Sequence, residues 1–445
     1  MRCIDHPAGL RAGLRTTLTL ALTGVLSGSA LAQSADTGWS DEGWGDDPWA
    51  TEQTGWSWYG FLEGAVAPRL QSDPAVDEDF TLAETRLQIE GERRFGDLTA
   101  TLKADAWLDG VEDGGRGDLR EANLAGQLTR RLDIRVGRQV ITWGTGDLVF
   151  LNDLFPKDYV AFFSGRSDAY LKAPTDALKL SWFGDLNVDV VWMPRATPNR
   201  YITGERLSYF DPQAGQRVAA PPELDPRDRD SIGDDSEFAL RVYQTVDGVE
   251  YAGYAFHGFD KQPSARDARG EAYFPRRSAL GASVRGTLLG GIANLETAYY
   301  RGEDDEGDDP RTPNDQWRWL AGYEREAFSD LTLGWQYSLE WTQDHEALID
   351  GLPARQRPYA ADEYRHLLTN RMTWQSERQD LTLSLFTFYS PSDADYYLRP
   401  RASYRFTDQL TGTAGANLFG GADDWTFHTQ LEDNSNTYFR LRYSF

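Results

Sequence analysis

Leu331-Thr332-Leu333-Gly334-Trp335-Gln336-Tyr337-Ser338-Leu339-Glu340-Trp341 is the stretch on which the fold turns. Its odd positions carry Leu, Leu, Trp, Tyr, Leu and Trp; its even positions carry Thr, Gly, Gln, Ser and Glu. Successive side chains of an extended chain leave on opposite sides, so this is a strand with one apolar and one wet face. Leu186, Val188, Val190 and Trp192 alternate with Asn187 and Asp189 in the same way. So do Leu98, Ala100, Leu102, Ala104 and Ala106 with Thr99, Thr101, Lys103 and Asp105.

Working outward, the alternating runs are joined by hairpin turns: Gly96-Asp97, Gly184-Asp185, Asp247-Gly248, Gly290-Gly291 and Ser329-Asp330. Between these hairpins lie longer polar loops such as 195–235 and 342–362. Tight turns at one end and long loops at the other are expected of an outer-membrane barrel. The pattern predicts about eighteen strands, near 56–68, 80–93, 97–109, 118–129, 131–142, 175–183, 186–194, 236–246, 248–257, 278–289, 291–301, 315–327, 330–342, 363–376, 380–389, 395–406, 409–418 and 437–445. Sixteen is the alternative if a weak hairpin such as 248–289 is misread. A soluble sandwich of that many strands would have to protect its edges, whereas closure in a bilayer removes them and pairs every backbone group. The expected fold is therefore all-β, a transmembrane antiparallel up-and-down β-barrel over 55–445.

Hydropathy alone would miss this. The chain is hydrophilic on average, and past the first thirty residues no apolar run approaches the ~18–20 residues of a membrane helix. Alternating strands conceal their apolar half from any window average. At the N-terminus, Arg11 and Arg15 precede the apolar run Leu18 to Leu26, followed by Ala30-Leu31-Ala32. That order predicts a signal peptide over 1–32, cut before Gln33, and an outer-membrane destination. Cys3 is the single cysteine and lies in that segment, so the mature chain has no thiol for a disulfide, a metal or catalysis. Residues 33–54, acidic and with Trp39, Trp44 and Trp49, read as a disordered periplasmic lead-in: a solubilising tail, a contact for a periplasmic partner or a lumen insert. The net charge of -25 argues against nucleic acid, and much of the acid sits in runs such as Glu303 to Asp309 that read as solvated loops.

The chain ends on Phe439, Leu441, Tyr443 and Phe445 alternating with Arg440, Arg442 and Ser444. A terminal aromatic on such a strand resembles the C-terminal signal read by the barrel-assembly machinery. Tyr59, Trp182, Trp192, Tyr299, Tyr389 and Tyr404 fit aromatic girdles, with the lipid bilayer and lipopolysaccharide as surroundings.

If the apolar face meets lipid, the polar face is a lumen. Arg86, Lys103, Arg135, Lys179, Arg241, Arg285, Arg318, Arg371, Arg399, Arg401, Arg405, Arg440 and Arg442 fall on it, with Glu84, Asp105, Asp189, Glu296 and Glu340 among the acids. Basic rings favour anions, and the alternative is that these charges simply pair across strands. The segment 134–182 departs most from the pattern. Arg138 would face lipid in strict alternation at a cost of roughly 2–4 kcal/mol, and a bulge at Gly137 would turn it inward. The loop 145–174 is rich in Leu and Phe and carries Asp147, Lys157, Asp158, Arg166, Asp168 and Lys172. Such a loop is costly to leave in water, so it is expected to fold into the barrel as a constriction. An external loop packed on itself is the alternative. Of these charged loop residues Asp147, Lys157, Asp158, Arg166 and Lys172, together with Arg86, Arg135, Arg138, Gln139, Arg399 and Arg401, make up the expected selectivity set.

The stretch Ile134 to Asp147, with R-x-G-R-Q-x-x-x-W-G followed by an acidic residue, resembles a pattern in alginate-export-type barrels and in a related large porin-like family of unknown function. The resemblance implies an eighteen-stranded barrel with a basic lumen for an anionic polysaccharide, with Arg135, Arg138 and Gln139 at the constriction. Trp143-Gly144-Thr145-Gly146 and the Phe-rich loop behind it depart from that pattern and better suit a hydrophobic or aromatic solute.

No catalytic motif, metal site or cofactor is expected. Beyond residue 32 the histidines are His257, His345, His366 and His428, on separate hairpins. The expected function is a porin for passive or selective diffusion of a small or oligomeric solute, an anionic one among the options. The rival is a plugged barrel serving as a scaffold or as part of an export or assembly complex.

Overall fold

The computed structural model describes residues 55–445. The expected signal peptide 1–32 and lead-in 33–54 lie outside the described residues. Eighteen strands form one sheet: β1 (Ser57–Pro68), β2 (Phe80–Phe95), β3 (Leu98–Asp109), β4 (Gly114–Thr129), β5 (Leu132–Gln139), β6 (Thr175–Trp182), β7 (Asn187–Met193), β8 (Glu237–Val246), β9 (Val249–Phe259), β10 (Arg276–Leu288), β11 (Gly291–Arg301), β12 (Gln316–Phe328), β13 (Leu331–Thr342), β14 (Tyr364–Gln375), β15 (Leu381–Ser390), β16 (Asp395–Arg405), β17 (Leu410–Gly421) and β18 (Asn436–Ser444). Each pairs antiparallel with its sequence neighbours. β1 pairs with β18, from Phe61↔Ser444 to Val66↔Phe439, which closes the cylinder. The sixteen-strand alternative fails because Val249–Phe259 and Arg276–Leu288 pair continuously over Glu250↔Arg285 to Phe259↔Arg276.

Alternation decides the faces. Leu62, Ile89, Leu124, Val136, Leu280, Trp335 and Leu441 are exposed on the outer face, whereas Glu63, Arg86, Asp105, Asn123, Ser283 and Ser338 are buried on the inner one. Such an apolar surface cannot rest in water, and closure leaves no unpaired edge. No helix among the described residues is long and apolar enough to cross a membrane. Phe439, Leu441, Tyr443 and Phe445 are exposed on the outside of the closing strand, and the Phe445 and Gly60 backbones exchange two 2.9 Å hydrogen bonds.

The turns follow their chemistry with two departures. Asp247 and Gly248 take positive φ (51° and 78°), as a two-residue hairpin with right-handed twist requires. The turn expected at Gly290-Gly291 instead uses Leu289 and Gly290 (φ 49° and 76°), because Gly291 already pairs with Leu288. Gly110–Asp113 and Pro391–Ala394 are tight turns at the end otherwise occupied by long loops, so the asymmetry of the two ends is incomplete.

A candidate constriction inside the barrel

β5 stops at Gln139, three residues earlier than its sequence pattern suggests, and the chain stays inside the cylinder until β6 begins at Thr175. The first part of this inward segment is apolar. Trp143, Leu151 and Phe155 pack with Ala177, Val191, Met193, Ala239, Ala252, Tyr254, Phe256, Ala279 and Ala298. The lumenal face of β6 to β11 is therefore greasy at this level, against the expectation of a uniformly wet interior. Burying a Leu or Phe side chain there is worth roughly 1.5–3 kcal/mol. A Cβ on Gly281 would sit 1.8 Å from the Asn152 side-chain oxygen, so only glycine lets the segment come this close.

The tip of the segment is held by polar groups of the far wall. Glu296 on β11 accepts hydrogen bonds from the Thr145 amide, from Thr145 Oγ1 at 2.7 Å, from the Gly146 amide at 2.8 Å and from Asn152 Nδ2 at 2.9 Å. Gln336 on β13 accepts from the Asp147 amide at 2.6 Å and donates to the Asp147 carbonyl at 2.7 Å. Arg371 on β14 grips the Asp147 carboxylate through two nitrogens, one at 2.7 Å.

Next comes α1 (Tyr159–Ser164), a short helix whose N-terminal Asp158 accepts from the Ala161 amide at 2.7 Å. It delivers Phe162 and Phe163 against Phe388, Tyr397 and Phe419. Gly165 ends it at φ 99°, against Tyr438. Arg166 then pairs with Glu84 at 3.0 Å. Asp168 bridges Arg399 at 2.6 Å and Arg401 at 3.2 Å. Burial opposes the ionisation of Asp168, but the two guanidiniums outweigh it and hold the carboxyl down at about 2. Tyr170 stacks under Arg86 at 4.7 Å, and the Lys172 carbonyl accepts from Arg120 on β4 at 2.9 Å. The segment thus meets the wall on successive sides before rejoining it. A second long segment lies across it: Arg200 pairs with Asp158 at 3.2 Å and with Asp118 at 2.7 Å, and Arg206 with Glu112 at 2.9 Å.

The expected selectivity residues divide. Asp147 of the inward segment pairs with Arg371, and Arg399 and Arg401 pair with its Asp168. Arg86 and Arg166 are bound into a buried cluster with Glu84, Asp105 and Asp109. Lys157 is buried against Asp153 at 2.9 Å, and Asp158 serves as helix cap and partner of Arg200. Gln139 is buried, donating to the Gly137 and Ala177 carbonyls. Lys172 is half-buried and contributes its backbone. Arg135 is exposed on the inward row, opposite Lys179.

Arg138 is a correction. No register shift occurs at Gly137, so no bulge turns it inward. Arg138 stays on the row of Val136 and pairs at 3.3 Å with Asp176, which shares the row of Leu178 and Leu180. A partner carboxylate at the end of the strand makes the outward arginine tolerable without a bulge. Sequence reasoning missed the anchors Glu296, Gln336 and Arg371 as a set, and Arg440 beside Asp168. The signal for the docking wall was present: Ala177, Ala239, Ala252, Ala279 and Ala298 all fall on inward positions.

A model of the family described as "Protein of unknown function (DUF1302)" matches residues 108–445. No curated protein matches the sequence. Among solved structures, the chain is similar to Acinetobacter baumannii OccAB3 (TM-score 0.53, 10% identity, covering 88% of this chain and 99% of that one). It is also similar to OccAB1 of the same organism (0.52, 9%, 87% and 95%) and to Pseudomonas aeruginosa OccK11 (OpdR) (0.50, 12%, 87% and 95%). At these identities the likeness concerns the fold: a closed eighteen-stranded barrel of porin type.

Proposed function

This chain belongs to the DUF1302 family of unknown function, and we propose that it is an outer-membrane channel for small anionic solutes, narrowed by its inward segment. The observation that carries this reading is the pairing of acids on the inserted segment with bases on the strands. Arg371, Arg399 and Arg401 stand on the rigid strands β14 and β16, and their carboxylate partners Asp147 and Asp168 both belong to the inserted segment. Fixed arginines at a narrowing favour anions, and a loop on a rigid barrel is where selectivity resides. The space beside the tip is small, a cavity of about 100 Å³ bounded by Asp147, Arg285, Asn294, Glu324, Gln336 and Arg371. That size suits a small carboxylate better than the oligomeric sugar of the alginate-export resemblance.

Lipid and lipopolysaccharide surround the outer face, and the signal peptide and C-terminal strand bring the chain to the barrel-assembly machinery. A plugged barrel acting as a scaffold is the second reading. It is favoured by the contact of the 140–174 segment with the wall on successive sides. Planar-bilayer recording separates the two. Steady current with a reversal potential on the anion side, enlarged by deleting 148–165, supports the channel. A barrel that is folded, inserted and silent with or without 148–165 overturns it.

A further inference from the structure

The attachments of the inserted segment to the barrel wall described above all use side chains. Its backbone finds a backbone partner on the second long segment, 195–235. The Arg200 amide donates to the Lys157 carbonyl at 2.8 Å and the Tyr159 amide to the Arg200 carbonyl at 3.0 Å, so Asp158 and Arg200 lie side by side as a parallel bridge. Asn199, 7% exposed, adds a third bond: its side-chain oxygen accepts from the Lys157 amide at 2.6 Å. Both residues are tied to the cylinder. The Asn199 amide donates to the Lys261 carbonyl at 2.8 Å, and Lys261 Nζ stands 2.5 Å from the buried carboxylate of Glu237 on β8. The Arg200 guanidinium joins Asp158, at 3.2 Å, to Asp118 on β4, at 2.7 Å. β4 and β8 flank β5 to β7, the strands from whose ends both segments leave the wall.

We propose that Asn199 and Arg200 are the positioning residues of the constriction: they clamp 157–159 between β4 and β8, and so set where α1 carries Phe162 and Phe163 in the lumen. The proposal rests on the channel reading above and deepens it by naming what fixes the aperture. α1 has six residues, too few to be stable alone, so its place must come from its cap and its contacts. Its packing on Phe388, Tyr397 and Phe419 is non-directional, which leaves its position along the wall to polar groups. The cap residue Asp158 divides its carboxylate: one oxygen accepts from the Ala161 amide at 2.7 Å, and the other takes Arg200. That side chain is 2% exposed, and Arg200 is its one basic partner within ion-pair distance among the described residues. A buried carboxylate without its counter-charge is strongly disfavoured, so cap and clamp depend on the same guanidinium. A guanidinium can bridge Asp158 and Asp118 because it carries donors on separate nitrogens in a fixed plane, whereas a lysine ammonium is a single point charge.

The test joins hydrogen exchange in detergent to planar-bilayer recording, both on the full-length barrel. Arg200→Met removes both ion pairs and keeps the backbone bridge. Exchange at the Ala161 and Phe162 amides should accelerate roughly tenfold, the equivalent of one hydrogen bond to a charged group, while strand amides such as those of Leu280 and Leu295 keep their rates. Arg200→Lys restores the charge without the fork and should fall between. Asn199→Ala changes no charge, so a shift of its single-channel conductance away from the parent reports the aperture itself. A heat-dependent shift on SDS gels certifies each variant as folded. Unchanged exchange at Ala161 and Phe162 in Arg200→Met, or acceleration shared by the strand amides, overturns the clamp. So does an Asn199→Ala barrel that conducts as the parent does. Exchange needs no current, so the two readings fail separately. A silent barrel with the expected exchange overturns the channel and leaves the clamp, whereas a conducting barrel with unchanged exchange does the reverse.

Discussion

The two halves of the lumen use the same residue types in opposite ways. Toward the long loops, charges form closed networks. Arg86 holds Glu84 at 3.0 Å and Asp105 at 3.1 Å, Glu84 also takes Arg166, and Arg206 joins Glu112 to Asp109. The acids and bases of this cluster are paired with one another and, Glu112 and Arg166 apart, buried. Toward the tight turns, Arg135 and Arg405 are exposed and Arg285 borders a cavity. The difference teaches that an inward arginine is a lock when its donors are filled by the wall and a reader when they are filled by something able to leave, or by nothing. Asp147 and Asp168 sit at the border between the two regimes.

The comparison breaks most easily at Arg86. Arg86→Met leaves Asp105 and part of Glu84 charged and buried without a partner, which costs about 3–5 kcal/mol. Urea unfolding of the barrel in detergent should show that loss, while the permeability ratio of anions to cations stays as in the parent. A loss under about 1 kcal/mol would make Arg86 an ordinary lumen charge and erase the distinction.

Glu296→Gln comes next. The carboxylate gathers bonds from Thr145, Gly146 and Asn152, and an amide cannot accept them all. The expected cost is about 1.5–3 kcal/mol, that of hydrogen bonds to a charged group. Because it falls on the tip and not the barrel, hydrogen exchange at the Thr145 and Gly146 amides should accelerate by about tenfold or more. Unchanged exchange would mean that the apolar contacts of Trp143, Leu151 and Phe155 hold the segment unaided.

These two residues also mark how far the sequence could be read. The strands were legible because alternation is local: each run declares its own faces, and Leu331 to Trp341 would do so in isolation. The depth and course of the inserted segment were only partly legible. Its Phe and Leu content says that it must be covered, but what covers it is brought together only by closure: alanines at 177, 239, 252, 279 and 298 with larger apolar neighbours around Trp143 and Leu151, and Phe388, Tyr397 and Phe419 around Phe162 and Phe163. Arg86 and Arg399 read alike in one dimension, since each is an inward arginine on an alternating strand. Only the partners contributed by distant segments, Glu84 with Asp105 for one and Asp168 for the other, separate a lock from a reader. Arg138 misled because strict alternation suggested a penalty and Gly137 a remedy, while Asp176, the partner that removes the problem, lies on the neighbouring strand.

Arg138 therefore supplies a smaller effect. With Asp176 half-exposed beside it, Arg138→Ala should change stability by at most about 1 kcal/mol, the range of accessible ion pairs, and leave ion selectivity as it was. A shifted reversal potential in that variant would return Arg138 to the lumen.

The least effect is expected from mild acid, and it tests the border itself. Asp168 has its carboxyl depressed to about 2, below the ~3.9 of an unperturbed aspartate. For a depressed carboxyl, the stabilisation is complete above the unperturbed value and disappears as the pH falls through the folded value. Between pH 7 and pH 4 the bridge from Asp168 to Arg399 and Arg401 should hold, and protection of the 166–171 amides, corrected for intrinsic rate, should stay level. Protection lost with a midpoint above pH 4 would mean that the guanidiniums grip Asp168 less than their 2.6 and 3.2 Å contacts imply. Asp168→Asn at neutral pH is the matching control, because it imposes the uncharged side chain that acid alone should reach only near pH 2.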